Sequence, residues 1–124
     1  MTIGDAYGHD ANYLLSKNIK NVIATDLNSD FLTLSQEIGF IKEYSIENAE
    51  SLSLKDNSMD YILCKESYHH FPRPYAALYE MIRVAKRGMI IIEPQDPISK
   101  MPLLLFLFNI LERINPEIIN VSSV

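Results

Sequence analysis

The sequence predicts an α/β fold: a Rossmann-like doubly wound sheet, mostly parallel, in three α/β/α layers. Short apolar runs alternate along the chain with stretches whose apolar residues recur at helical spacing, the pattern of βαβ units around a parallel sheet. The residues best suited to chemistry then follow the strand-like runs. In such a sheet those positions gather at one edge, where the strands end. The 124 residues are read as a single domain, 1–124, long enough for a real core.

Taken in order, Ile3 runs straight into Gly-Asp-Ala-Tyr-Gly, so a first strand is a remnant, followed by a helix over residues 10–16. Residues 22–25 form a compact apolar run ending in Asp26 and read as a buried strand. Residues 30–38 place Phe31, Leu34 and Ile38 at helical spacing, with Asn28 or Ser29 as cap and Gly39 as stop. Residues 43–46 make a weaker strand. Residues 59–64, M-D-Y-I-L-C, make a clear one after the turn-like Lys55-Asp56-Asn57-Ser58. Tyr75, Leu78, Ile82 and Ala85 define one face of a helix that starts after Pro74 and stops at Gly88. Residues 89–92 form the last strand, halted at Glu93-Pro94.

An apolar helical segment is expected over 98–114, richest in M-P-L-L-L-F-L-F-N-I-L. That run is about half of the roughly 20 apolar residues a membrane span needs. It is expected to be buried or to line an apolar pocket, with interfacial membrane contact as the alternative.

Composition narrows the classes. Hydrophobic content of 48% with 22% charged residues describes a globular chain. A net charge of -5 argues against a nucleic-acid binder, which needs a basic face. Cys64 is the single cysteine, so no internal disulfide forms and a reducing, cytoplasmic setting is expected. The opening residues lack a basic stretch followed by an apolar run and a small-residue cleavage site, so no signal peptide is expected, and Cys and His do not fall at metal-ligand spacings.

The predicted edge collects residues 4–8, Asp26, 48–50, 65–70 and Glu93. Gly4, Ala6 and Gly8 are small residues at every second position, which lets a ligand approach the backbone and the next helix's free N–H groups. Asp26 ends the second strand, placed to accept the hydroxyls of an adenosine ribose; its plainer reading is a turn aspartate. Tyr68, His69 and His70 form the most reactive-looking group. A histidine there suits proton removal from an acceptor, unless one ring packs under the loop and the other is solvated. Glu66 is a candidate partner or second base. Lys65 is equally suited to solvent. Phe71-Pro72-Arg73-Pro74 is a rigid helix entry, whose Arg73 is expected at the surface, with contact to an anionic acceptor as the alternative. Glu93 either faces substrate or simply ends its strand.

The stretch N-A-E-S-L-S-L-K-D-N-S-M-D-Y-I-L-C-K-E-S-Y-H-H-F, followed by Arg83-Val84-Ala85-Lys86-Arg87-Gly88, resembles the class I S-adenosylmethionine-dependent methyltransferases. It looks most similar to the branch of ubiquinone- and menaquinone-biosynthesis enzymes and other small-molecule methyltransferases, and the likeness runs over about residues 3–97. It implies S-adenosyl-L-methionine as cofactor, with Gly4, Ala6 and Gly8 facing the methionine moiety and Asp26 on the ribose. Leu27 would pack against the adenine, and Asn48 with Ala49 would address its edge. Glu50 and Lys65, on the same predicted edge, are further cofactor-binding candidates. Thr2 stands where the family has an acid, and Asp5 is expected to take over that role. Ala6 and Asn48 replace a usual glycine and aspartate. The family also has closing strands and a whole first strand, so a chain truncated at both ends is expected, whose exposed sheet edges favour pairing with a second copy.

The function expected is methyl transfer to an oxygen, nitrogen or carbon of a small acceptor, apolar or lipid-linked. A non-catalytic interaction module is the alternative. An NAD-binding domain is the weaker third, because the loop reads G-x-A-x-G and not G-x-G-x-x-G.

Overall fold

The computed structural model describes residues 1–94 and Ile110. The elements are β1 (Thr2–Ile3), α1 (His9–Ser16), β2 (Ile23–Asp26), α2 (Asp30–Glu37), β3 (Glu43–Ile46), β4 (Met59–Lys65), a 3-10 turn (Tyr68–His70), α3 (Pro74–Val84) and β5 (Ala85–Ile92). Met1–Glu93 forms one compact unit, and the chain divides there. The apolar segment expected over 98–114 lies outside the described residues, apart from Ile110, which is helical.

All the strand pairs are parallel, in the order β3-β2-β1-β4-β5. The chain builds outward from β1 to β3, then crosses back and builds outward again from β4. The direction of winding therefore reverses between β1 and β4, the place where open α/β sheets bind ligands. β1 is only two residues long, yet it is central: Thr2 pairs with Ala24 and Leu63, and Ile3 with Thr25 and Cys64. The Met1 amino group donates to the Tyr61 carbonyl at 2.9 Å, and the Leu63 amide donates to the Met1 carbonyl at 2.9 Å. These bonds extend the short ladder at its start.

Register separates the two faces. Side chains alternate along a strand, so Ile3 and Cys64 share one face while Thr2 and Ala24 share the other. On the first face Ile3, Ile62 and Cys64 pack with Ala77, Met81 and Val84 of α3. On the second, Val22 and Ala24 pack with Ala11 of α1, Leu32 of α2 and Ile41. Helices on both faces make three layers. Each fully buried large side chain, Leu32 or Met81 for example, contributes roughly 1.5–3 kcal/mol over leaving it in water.

Helices α2 and α3 both bury a different face from the expected one. In α2, Leu32 and Ser35 are buried, whereas Phe31, Leu34 and Ile38 are 45%, 54% and 69% exposed. In α3, Ala77, Met81 and Val84 are buried while Tyr75 and Ile82 are exposed. The helices carry apolar residues on several sides, so spacing alone does not select the stripe that meets the sheet. Small Ala77 lets α3 approach closely, and the Tyr75 and Tyr79 hydroxyls stay in water without needing a buried partner. Gly88 is not a helix stop either: α3 ends at Val84 and β5 begins at Ala85, with Gly88 inside the strand beside Tyr61. The N-cap of α2 is Ser29, which makes no side-chain capping bond; Asn28, just before it, accepts from the Asp30 amide through Oδ1 at 2.9 Å.

Arg83 ties α3 to the loop before β4. Its Nη1 donates to the Leu54 carbonyl at 2.8 Å and to Asp56 Oδ1 at 2.7 Å, and its Nη2 donates to the Leu52 carbonyl at 3.0 Å. Its Nε and Nη2 also grip Glu80 in a fork, at 2.8 and 2.6 Å. These bonds hold the Glu80 carboxyl below its ordinary range and raise the Arg83 guanidinium. Removing Arg83 is expected to lower the thermal midpoint, with Arg83→Lys recovering only part, because an ammonium cannot reproduce the planar fork. A depressed carboxylate stabilises the fold above its unfolded pKa, and that stability is lost as pH falls through the folded value. Thermal melts between pH 7 and pH 3 therefore should fall more steeply for the native chain than for Arg83→Ala.

Candidate functional site

The floor of the site is a close contact between the ends of β1 and β4. Gly4 has φ +67°, and a Cβ there would stand 2.5 Å from Ser67 Oγ and 2.6 Å from Ser67 Cβ. Ser67 Oγ donates to the Ile3 carbonyl at 3.1 Å and lies 3.2 Å from Cys64 Sγ. Only glycine combines that backbone with that proximity. Gly8, with φ +75°, is similarly pressed on Ile41, whose Cγ2 would be 2.6 Å from an added Cβ. Burial pushes the Cys64 thiol up, so it is a poor nucleophile.

Asp5 lies behind this loop and not in front of it. It is 5% exposed, and its carboxylate accepts from the Ala11 amide at 2.8 Å, the Asp10 amide at 3.1 Å and the Thr2 hydroxyl at 2.9 Å. Burial pushes its carboxyl up, against the pull of those hydrogen bonds. Asp5 thus satisfies free N–H groups in the first turn of α1, and Thr2 is its partner. That geometry aims the carboxylate into the protein, away from the open edge where it was expected to replace the missing acid. Ala6 follows on the same loop, half-buried.

The strand ends enclose a cleft of about 180 Å³. Gly4, Asp26, Leu27, Asn48, Ala49 and Glu50 line it from β1, β2 and the segment after β3, and His70, Phe71 and Pro72 close it from the other side. Six of the ten residues expected to hold cofactor therefore meet here; Asp5, Ala6, Gly8 and Lys65 do not line it. Asp26 Oδ1 accepts from the Asn28 amide at 3.0 Å, the turn reading in part. Asn48 Oδ1 accepts from the Glu50 amide at 2.9 Å. Both Glu50 oxygens accept from Arg73, one from its backbone amide and one from Nε, each at 2.7 Å, and those bonds hold the Glu50 carboxyl below its ordinary range. Arg73 is therefore paired to the cleft wall. Lys65 Nζ lies 3.7 Å from Asp10 and 3.5 Å from Glu66, exposed pairs worth about 0–1 kcal/mol.

The histidines part company. His70 lines the cleft, while His69 Nδ1 pairs with Glu93 Oε2. Their ring centroids are 3.9 Å apart, tilted by 44°. Glu93 Oε1 also accepts from the Tyr68 amide at 3.0 Å. Burial alone would raise the Glu93 carboxyl, but the hydrogen bonds from His69 and Tyr68 outweigh it and hold the group below its ordinary range. Glu66, expected beside the histidines, pairs with Lys65 instead, on a backbone with φ +54°. Tyr68 packs edge-on against Phe71, 6.0 Å between centroids, and joins the core.

Sequence reasoning passed over Glu47, Phe71 and Pro72 as cleft residues. Glu47 is buried and accepts from the Ser53 amide and hydroxyl at 2.9 and 2.7 Å. Its position just after β3 was the available signal, since that is the strand's carboxyl end. A larger hollow of about 640 Å³ lies at the opposite end of the strands, beside Met1, Leu14, Ile19, Tyr61 and Ile90. It contains none of the expected site residues.

The profile of the methyltransferase domain family matches residues 1–92. The chain belongs to the class I S-adenosylmethionine-dependent methyltransferases. Among methyltransferases, it is 29% identical over 110 residues to the uncharacterised methyltransferase YcgJ of Bacillus subtilis, an alignment covering 79% of this chain and 42% of YcgJ. The crystal structure of YcgJ superimposes with a TM-score of 0.66 at 28% identity, over 90% of this chain and 50% of that one. A SAM-dependent methyltransferase of Methanosarcina mazei gives a TM-score of 0.68 at 25% identity, over 85% and 56%. The chain thus spans about half the length of these methyltransferases. Among the described residues no helix is long and apolar enough to cross a membrane, and no group of three or more His, Cys, Asp or Glu is arranged to hold a metal.

Proposed function

We propose that the chain binds S-adenosyl-L-methionine in the cleft at the β1–β4 switch point and supports methyl transfer to an oxygen, nitrogen or carbon of a small-molecule acceptor. The observation carrying this reading is the convergence of Gly4, Asp26, Leu27 and Ala49 on one cleft. A cleft of about 180 Å³ is smaller than the roughly 300–1,000 Å³ of pockets that enclose a drug-sized ligand. It suits part of a nucleoside, with the remainder over the open loop of residues 4–8. Leu27 is 70% exposed at the rim, an apolar side chain suited to packing on the flat face of a base. Asp26 presents its carboxylate to ribose hydroxyls, a charge-assisted contact.

When bound, the cofactor supplies a methyl group on a sulfonium, which an acceptor's electron pair takes while the pair of the broken S–C bond stays on sulfur. The protein's part is to hold the acceptor in line and remove its proton. We place the candidate bases in the loop after β4, with His69, His70 and Glu66 nearest the acceptor side and Tyr68 and Arg73 flanking them.

Thermal unfolding with millimolar S-adenosylhomocysteine, or with NAD⁺, tests the reading. A ligand at 100 times its Kd stabilises by about 2.7 kcal/mol. A raised midpoint with S-adenosylhomocysteine and none with NAD⁺ is expected; the reverse pattern would assign the cleft to a dinucleotide.

A further inference from the structure

We infer that Glu93 is a positioning residue that selects His69, not His70, as the base, by holding the His69 ring with its Nε2 lone pair free. This inference rests on the methyl-transfer reading above and adds a division of labour within the histidine pair.

The division begins with strand register. β4 and β5 pair in parallel with Lys65 opposite Ile92, and the Glu66 amide donates to the Ile92 carbonyl at 2.7 Å. The loop leaving β4 is thereby fixed to the end of β5, and Glu93 is the next residue out. Its two oxygens do separate jobs. Oε1 accepts from the Tyr68 amide at 3.0 Å and holds the backbone of the 3-10 turn, while Oε2 meets His69 Nδ1. One carboxylate thus fixes both the turn and the ring it carries.

An ionised carboxylate only accepts hydrogen bonds. Nδ1 of His69 must therefore be the protonated nitrogen, which leaves Nε2 as the open acceptor of a neutral ring. His70 has no such carboxylate partner among the described hydrogen bonds, and it lines the cleft with Gly4 and Asp26. The His69 ring stands beside it, with its side chain 45% exposed. His70 is a wall of the cofactor cleft, whereas His69 stands outside that wall with its ring partly exposed, free to meet an acceptor. In the proton step the acceptor's X–H bond breaks, its electron pair stays on X, and the proton bonds to Nε2. The resulting imidazolium is paired with Glu93 and returns the proton to water. The same carboxylate that sets the tautomer stabilises the charge that forms, the logic of an oriented base.

The tautomer is readable without turnover. Long-range ¹H–¹⁵N correlation spectra of the ¹⁵N-labelled chain at pH 8 should show His69 protonated on Nδ1 and bare on Nε2. Saturating S-adenosylhomocysteine should shift the His70 ring signals and leave the His69 tautomer in place. In Glu93→Ala the Nδ1-protonated fraction of His69 should fall severalfold. Should that variant lose its fold, Glu93→Asp withdraws the carboxylate by one methylene and should lower the fraction in the same direction. An Nε2-protonated His69 in the native chain, or a tautomer indifferent to the Glu93 substitution in a folded variant, would overturn the inference. An intact His69 tautomer with no response of any signal to S-adenosylhomocysteine would instead sink the cofactor reading, so the two failures are distinct.

Discussion

Gly4→Ala is expected to destabilise the fold by about 2–5 kcal/mol. A side chain at positive φ costs roughly 1–2 kcal/mol, and forcing an atom into a filled space costs roughly 1–3 more. At Gly4 both apply, because φ is +67° and the added Cβ would stand 2.5 Å from Ser67 Oγ. Against a typical total stability of about 5–15 kcal/mol, that is enough to leave a large unfolded fraction. Urea unfolding measures it as a lowered midpoint at an unchanged slope. Ser67→Gly in the Gly4→Ala background should recover the steric part and leave the backbone part, a coupling that a double-mutant cycle isolates. A Gly4→Ala midpoint equal to the native one would mean that β1 and β4 do not meet at this distance.

Asp26→Ala is expected to weaken S-adenosylhomocysteine binding by about 100-fold or more. Each hydrogen bond to a charged group is worth roughly 1.5–3 kcal/mol, two ribose hydroxyls are available, and about 1.4 kcal/mol is a factor of ten. Folding should suffer little, since Asp26 is only half-buried and its side chain's hydrogen bond in the structure is the one from the Asn28 amide. Asp26→Asn separates the two roles. It keeps an acceptor for Asn28 but removes the charge, so affinity should still drop while the melting curve stays native. Fluorescence competition with a labelled adenosine analogue reads the affinity, and equal affinity for the native chain and both variants would take Asp26 out of the site.

Much of the fold was legible in the sequence. The apolar runs in β2, β4 and β5 sit between turn residues and chemistry-bearing side chains, so both the strands and their carboxyl edge could be read from one dimension. The helix faces could not. Phe31, Leu34 and Ile38 make as good a stripe by spacing as Leu32 and Ser35, and only the position of Ala24 on the sheet decides which is buried. Gly88 looked like a helix stop because glycine ends helices, yet here α3 passes directly into β5.

The candidate site divides in the same way. Asp26 ends its strand and Gly4 and Asn48-Ala49 lie just past theirs, so order along the chain predicted their meeting. Whether Asp5 faces outward or caps α1 is a matter of burial, which Thr2 in place of an acid did not announce. The pairing of His69 with Glu93 joins residues 24 apart in sequence and follows from the β4–β5 register, a three-dimensional fact with no local signature.

Isothermal titration of S-adenosylhomocysteine into the chain tests the central claim most directly. One-to-one binding with a micromolar Kd is the expected result, and a folded chain that gives no heat at millimolar ligand would contradict it.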